Sequence, residues 1–251
     1  MDWSQQLLLL VISLVANILS ALAGGGAGLI QLPALIFLGL TFSTALATHK
    51  VASVFLGIGA TIRNIREKRL EKHLAIFILI TGLPGVFVGA NVILSIPDRA
   101  SEMALGLLTL ALGVYSWLNP ELGQTISSAE RSRSTYVVGG VVLFLIGILN
   151  GSLTSGTGLF VTLWLVRWFG LDYKKAVAFT LILVGVFWNG AGAITLGYIG
   201  EINWNWLPAL IIGSLLGGYT GAHLAIAKGN RLIKRSYEII TVLVGLSLIF
   251  H

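Results

Sequence analysis

The chain has no cysteine, two methionines and five prolines in 251 residues, and only 10% of its residues are charged. Without cysteine there is no disulfide framework and no thiolate metal site, and the redox compartment stays undetermined. Soluble domains carry about 25% charged residues, so a chain this poor in charge cannot clothe a water-facing surface. No His, Asp or Glu cluster has metal-ligand spacing and no nucleophile motif is present. The sequence therefore calls for no metal, no cofactor and no enzyme chemistry. Carboxylates are also missing from the centres of the apolar runs, which counts against a cation carrier. What fills the chain is apolar: 56% of residues are hydrophobic and the mean hydropathy is +0.91. The net charge of +6 sits in short loops between apolar runs, which reads as membrane topology rather than as a nucleic-acid surface. Met1 to Ala23 ends like a peptidase site but begins Met1-Asp2-Trp3-Ser4. Lacking a positive n-region, it reads as a retained first helix.

Apolar runs long enough to span a core of about 30 Å fall near 4–23, 43–64, 73–96 and 100–118. Others follow near 135–150, 176–197, 206–227 and 232–250. A shorter apolar piece follows a glycine-rich break in each half, at Leu29–Leu40 and Leu159–Phe169. These runs divide the chain into a first membrane repeat (1–118), a hydrophilic cytoplasmic linker (119–134) and a second repeat (135–251). Leu38-Gly39-Leu40 and Phe169-Gly170-Leu171 are 131 positions apart, as are Ala45 and Ala176; Gly89-Ala90 and Gly221-Ala222 are 132 apart. Equivalent loops carry opposite charge bias. Loop 63–72 has Arg63, Arg66, Lys68, Arg69 and Lys72, whereas 198–205 has no Lys or Arg; conversely 95–101 has only Arg99, and its partner has Lys228, Arg231, Lys234 and Arg235. By the positive-inside rule the halves are inverted, which demands an odd number of crossings in each. The expected fold is an all-α membrane protein of two inverted-topology repeats of about five transmembrane segments each. Short broken helices are expected at the breaks, and both termini outside. The alternative is eight spans with two re-entrant loops. Glu102 and Glu238 are expected to pair with Arg99 and Arg235.

The breaks themselves are Gly24-Gly25-Gly26-Ala27-Gly28 and Ser152-Leu153-Thr154-Ser155-Gly156-Thr157-Gly158. Opened backbone is tolerated in a membrane only where protein or a cavity surrounds it. Paired interruptions in two halves point to a transporter's binding site. Each break precedes a short helix, whose N-terminal N–H groups favour anions; Ser155 and Thr157 add hydroxyls. Close packing of small residues is the competing reading. The helix after the first break carries Lys50, Ser53, Gly57, Thr61 and Asn64 on one stripe, with Thr48 and His49 at its start. Its counterpart carries Thr180, Gly185, Asn189, Gly192 and Thr195. Lys50 is either an anion contact or a lysine snorkelling to the outer interface.

Ala23 through Leu29 with Pro33, and Ala45-Leu46-Ala47-Thr48-His49-Lys50, look like the first-half motif of the TauE/SafE sulfite exporter family. Gly156-Thr157-Gly158, Phe169-Gly170 and Ala176-Val177-Ala178-Phe179-Thr180 look like its degenerate repeat, with Trp164 where Pro33 suggests proline. The resemblance covers nearly the whole chain. It implies a bacterial-type inner-membrane permease that exports small sulfur-containing anions such as sulfite, sulfoacetate or other sulfonates. It carries over Gly24, Gly25, Gly26, Thr48, His49, Lys50, Gly156, Thr157 and Gly158 as substrate residues; Ser155, Thr180 and Asn189 join them from the residue reading. The expected partners are the anion and the lipid bilayer, with a homodimer left open. An anion channel using the same helix ends is the rival function.

Overall fold

The computed structural model describes residues 3–67, 70–92, 98–126, 132–153 and 156–250. Among them are ten helices and no strand. The first half holds α1 (Trp3–Ala23), α2 (Gly28–Phe37), α3 (Phe42–Asn64), α4 (Lys72–Val92) and α5 (Asp98–Leu118). The second holds α6 (Arg133–Leu153), α7 (Thr157–Phe169), α8 (Tyr173–Ile199), α9 (Leu207–Lys228) and α10 (Asn230–Phe250). Six of these, α1, α3, α4, α6, α8 and α9, are long and apolar enough to cross a membrane.

The second helix of each half is short. At about 1.5 Å per residue, α2 is about 15 Å long and α7 about 20 Å, so neither crosses a full hydrocarbon core. Each folds back on the helix before it. Gln31 meets Ser13, and Leu35 shares a core cluster with Leu9; Trp168 bonds to the Thr135 carbonyl, and Thr157 bonds to Asn150. Both pairs are antiparallel hairpins whose glycine-rich tips lie inside the protein. The helix that follows starts at the end where its hairpin began, capped by Thr41 in α3 and by Asp172 in α8. These two caps are 131 positions apart, the same offset as the sequence repeat.

Small residues set the remaining contacts, because helices in lipid gain most from close backbone approach. Gly213, Gly217 and Gly221 of α9 lie against α1, and Gly85 and Gly89 of α4 against α6. The same correspondence relates α3–α9 to α8–α4 and leaves α5–α10 and α3–α8 unchanged. Exchange of the two halves thus maps these principal contacts onto themselves.

Polar contacts group the loops at two ends. At one end Lys175 pairs with Glu71 at 2.8 Å, Asn230 bonds to Asp172 and to the Gln124 carbonyl, and Arg63 pairs with Glu67 at 3.0 Å. At the other, Gln6 bonds to the Asn205 carbonyl and the Asn203 N–H donates to Thr48. Glu238 pairs with Lys234, not with the expected Arg235, at 2.7 Å. The i,i+4 spacing puts Lys234 on the inward face of α10, where the Ser116 hydroxyl accepts a second bond from it at 3.0 Å. The Arg99 and Glu102 side chains lie outside the described residues.

Candidate functional site at the hairpin tips

The two hairpin tips touch. A Cβ on Gly25 would stand 2.7 Å from the backbone of Gly158, and Gly25 has φ +151°, so neither space nor conformation admits a side chain. Behind them α3 and α8 cross at Gly57 and Gly185, where a Cβ on Gly57 would lie 2.6 Å from the Gly185 carbonyl carbon. Between the tips and this crossing lies a cavity of about 40 Å³. Its polar wall comprises Ser20, the 24–28 backbone, His49, Ser53, Asn150, Thr157, Thr180 and Asn189, and its apolar wall is Leu56, Leu181 and Val184. The polar side chains are all buried, and Gly26 in the lining is half-buried.

The first break brings backbone N–H groups to the lining of this space. The N–H groups of Gly24 and Gly25 fold back onto the Ser20 carbonyl at 2.8 and 2.9 Å. Those of Gly26, Ala27 and Gly28, at the start of α2, have no acceptor among the described hydrogen bonds. The Ser20 hydroxyl is also buried without a partner. On the opposite wall α8 departs from α-helical geometry over Thr180–Trp188, a π-helical stretch that widens the turn and brings Thr180, Leu181, Val184 and Gly185 to the cavity. Such segments recur at functional sites.

Of the residues singled out in the sequence, Gly24, Gly25, Gly26, His49, Thr157, Gly158, Thr180 and Asn189 line this one cavity. Lys50 does not reach the interface. It is 0% exposed, and its Nζ donates to the backbone carbonyl and, at 3.1 Å, to the side-chain oxygen of Asn150. It therefore stands immediately behind the cavity wall, with no ion pair among the described residues. Thr48 is turned away, accepting from Asn203 at 2.9 Å. Gly156 caps α7 in a left-handed conformation outside the lining, and Ser155 lies outside the described residues.

Asn150 links the parts: its Nδ2 donates to Thr157 at 2.9 Å and to Asn189 at 3.3 Å while its oxygens hold Lys50. Sequence reasoning passed over it, although an asparagine closing an apolar run just before a glycine break is a legible signal. Ser20 holds the corresponding place before the first break. Gln31 was also missed; it accepts a bond from His49 across 2.8 Å from a position that reads as one polar residue in an apolar piece.

These features define a multi-pass helical membrane protein built around a small polar cavity at the meeting of two helix starts. The chain belongs to the sulfite exporter TauE/SafE family, whose model matches residues 9–248. It is 28% identical to a probable membrane transporter protein of Haemophilus influenzae, covering 97% of this chain and 94% of that one. It is also 28% identical to the probable membrane transporter protein ORF9 of Sinorhizobium sp, over 96% and 91%. With the probable membrane transporter protein YfcA of Escherichia coli the identity is 27%, over 96% and 88%. No solved structure matches the chain significantly.

Proposed function

We propose that the cavity at the hairpin tips is the substrate site of a secondary transporter that exports a small sulfur-containing anion by alternating access. The observation that carries this reading is the fully buried Lys50, which donates to Asn150 and lacks an ion-pair partner among the described residues, directly behind a cavity rimmed by helix-start N–H groups. A lysine held inside a membrane protein without a carboxylate is expensive, and an anion in the adjacent cavity offsets that cost. The dimensions favour a compact solute. About 40 Å³ is room for about three waters, which suits sulfite; sulfoacetate or a longer sulfonate would need a more open state.

The exchangeable contacts of the two halves support inverted repeats that rock about the site. The gathering of Arg63, Lys175 and the Asp172–Asn230 contact at one end supports a cytoplasmic placement for that end. Trp3 and Asn205 then face outward. An inside-negative potential drives anions outward by about 2.3 kcal/mol per charge per 100 mV. The test is sulfite efflux from proteoliposomes with an imposed potential. Saturable, potential-driven sulfite flux that disappears in Lys50→Met supports the reading. Flux unchanged by that substitution rejects the site, and single-channel currents would assign a channel instead.

A further inference from the structure

A chain of donor and acceptor assignments runs from α9 to the cavity. The Ser13 hydroxyl lies 2.8 Å from the Leu210 carbonyl; a carbonyl has no proton to give, so the single hydroxyl proton of Ser13 is spent there. Gln31, 3.1 Å from the same oxygen, must therefore turn its Nε2 toward Ser13. That leaves Gln31 Oε1 facing His49 Nδ1 at 2.8 Å. An amide oxygen only accepts, so Nδ1 carries the proton. In the neutral ring Nε2 then presents its lone pair, and the Ser53 hydroxyl, 3.1 Å away, donates to it. Ser53 has no second proton, so its oxygen meets the cavity as an acceptor.

Thr180 follows the same logic. Its proton goes to the Ala176 carbonyl at 3.0 Å, and the Thr162 hydroxyl, 2.9 Å away, spends its own proton on the Gly24 carbonyl at 3.0 Å, so the Thr180 oxygen is left as an acceptor. The first break offers the reverse: the N–H groups of Gly26, Ala27 and Gly28, and the Ser20 hydroxyl, which is 1% exposed and has no partner, can all donate. The cavity thus combines donors along Gly26–Gly28 and Ser20 with two acceptor oxygens, Ser53 and Thr180, and the Asn189 amide, whose oxygen accepts from Asn150, adds its Nδ2 as a further donor. A solute with acceptors alone leaves Ser53 and Thr180 unmatched.

We infer that the preferred solute is a monoanion that keeps one acidic hydroxyl or N–H, its bare oxygens on the Gly26–Gly28 wall and its proton on Ser53, with Gln31 as the positioning residue that enforces this through His49. This rests on the cavity being the anion site. Methanesulfonate and the methylphosphonate monoanion share shape and charge and differ by one hydroxyl proton, so they are the probes. Calorimetric titration of the full-length protein, at a pH where methylphosphonate is monoanionic, is expected to show about tenfold or more tighter binding of the phosphonate, since a site built to bond a hydroxyl rejects its analogue strongly. Gln31→Leu and Ser53→Ala should each reduce that preference to about twofold. Histidine-selective nitrogen NMR, with His49 assigned by substitution, should show the Nδ1-protonated tautomer, and this reads the wild type even where a variant fails to fold. Equal binding of the two anions, a preference unchanged in Gln31→Leu, or an Nε2-protonated His49 overturns the inference and leaves the anion site standing. Failure of both anions and of sulfite to bind removes the proposed function and the inference with it.

Discussion

Lys50 Nζ and Asn150 Oδ1 lie 3.1 Å apart across 100 positions of sequence, both groups buried where the two halves meet. The contact ties the third helix of one half to the first helix of the other. It also places the amine behind the cavity wall instead of inside the cavity. Rocking of one repeat against the other would strain or remake this bond, because α3 and α6 belong to different halves.

Asn150→Leu should therefore be as damaging as Lys50→Met. Losing the acceptor leaves a buried amine with unmet hydrogen-bonding capacity, worth about 1–3 kcal/mol. Sulfite efflux is expected to fall about tenfold or more at equal reconstitution, and Asn150→Asp, which keeps the oxygens, should recover part of it.

Gly57→Ala puts a methyl 2.6 Å from the Gly185 carbonyl carbon, where backbone cannot step aside. Overpacking of this kind costs about 1–3 kcal/mol. A lower midpoint in a detergent thermal-unfolding assay is expected, together with lost transport. Gly190→Ala, whose nearest neighbour would be Val54 at 3.9 Å, is the control and should leave both unchanged.

Lys234 and Glu238, with Ser116 between them, bind α10 to α5 in a largely buried cluster. Removing one charge alone leaves the other uncompensated, a cost of about 3–5 kcal/mol for buried pairs. Glu238→Leu should thus destabilise markedly. The double variant Lys234→Met with Glu238→Leu should recover most of the loss, and a double-mutant cycle on thermal stability measures the coupling.

The absence of cysteine makes topology directly testable. Single cysteines at Trp204 and Arg167, both exposed loop or helix-end positions, should be labelled by an impermeant maleimide from opposite faces of intact spheroplasts: Trp204→Cys from outside and Arg167→Cys only after lysis. Labelling of both from outside would reject a membrane crossing by α8.

Periodicity, apolar run length and loop charge were enough to read ten helical segments, the two breaks and their short following helices, because each of these is a local property of the chain. Most of the cavity residues were legible for the same reason: glycines that open backbone in a membrane advertise themselves. The direction of Lys50 was not. Inward burial and snorkelling use the same residue at the same helical position, and the choice depends on Asn150, which lies in the other half. Thr48 shows the converse, since its hydroxyl shares a polar cluster in sequence but bonds to Asn203 in space.

The sequence by itself determined a membrane-embedded, duplicated helical protein with two weakened backbones at equivalent places, since hydropathy and residue size act where they stand. Only the tertiary structure decided that those two places touch, that α8 unwinds into π geometry over Thr180–Trp188, and that a relay from Leu210 through Ser13 and Gln31 fixes the imidazole of His49. Hydrogen-bond direction is a property of partners, and these partners come from four different helices.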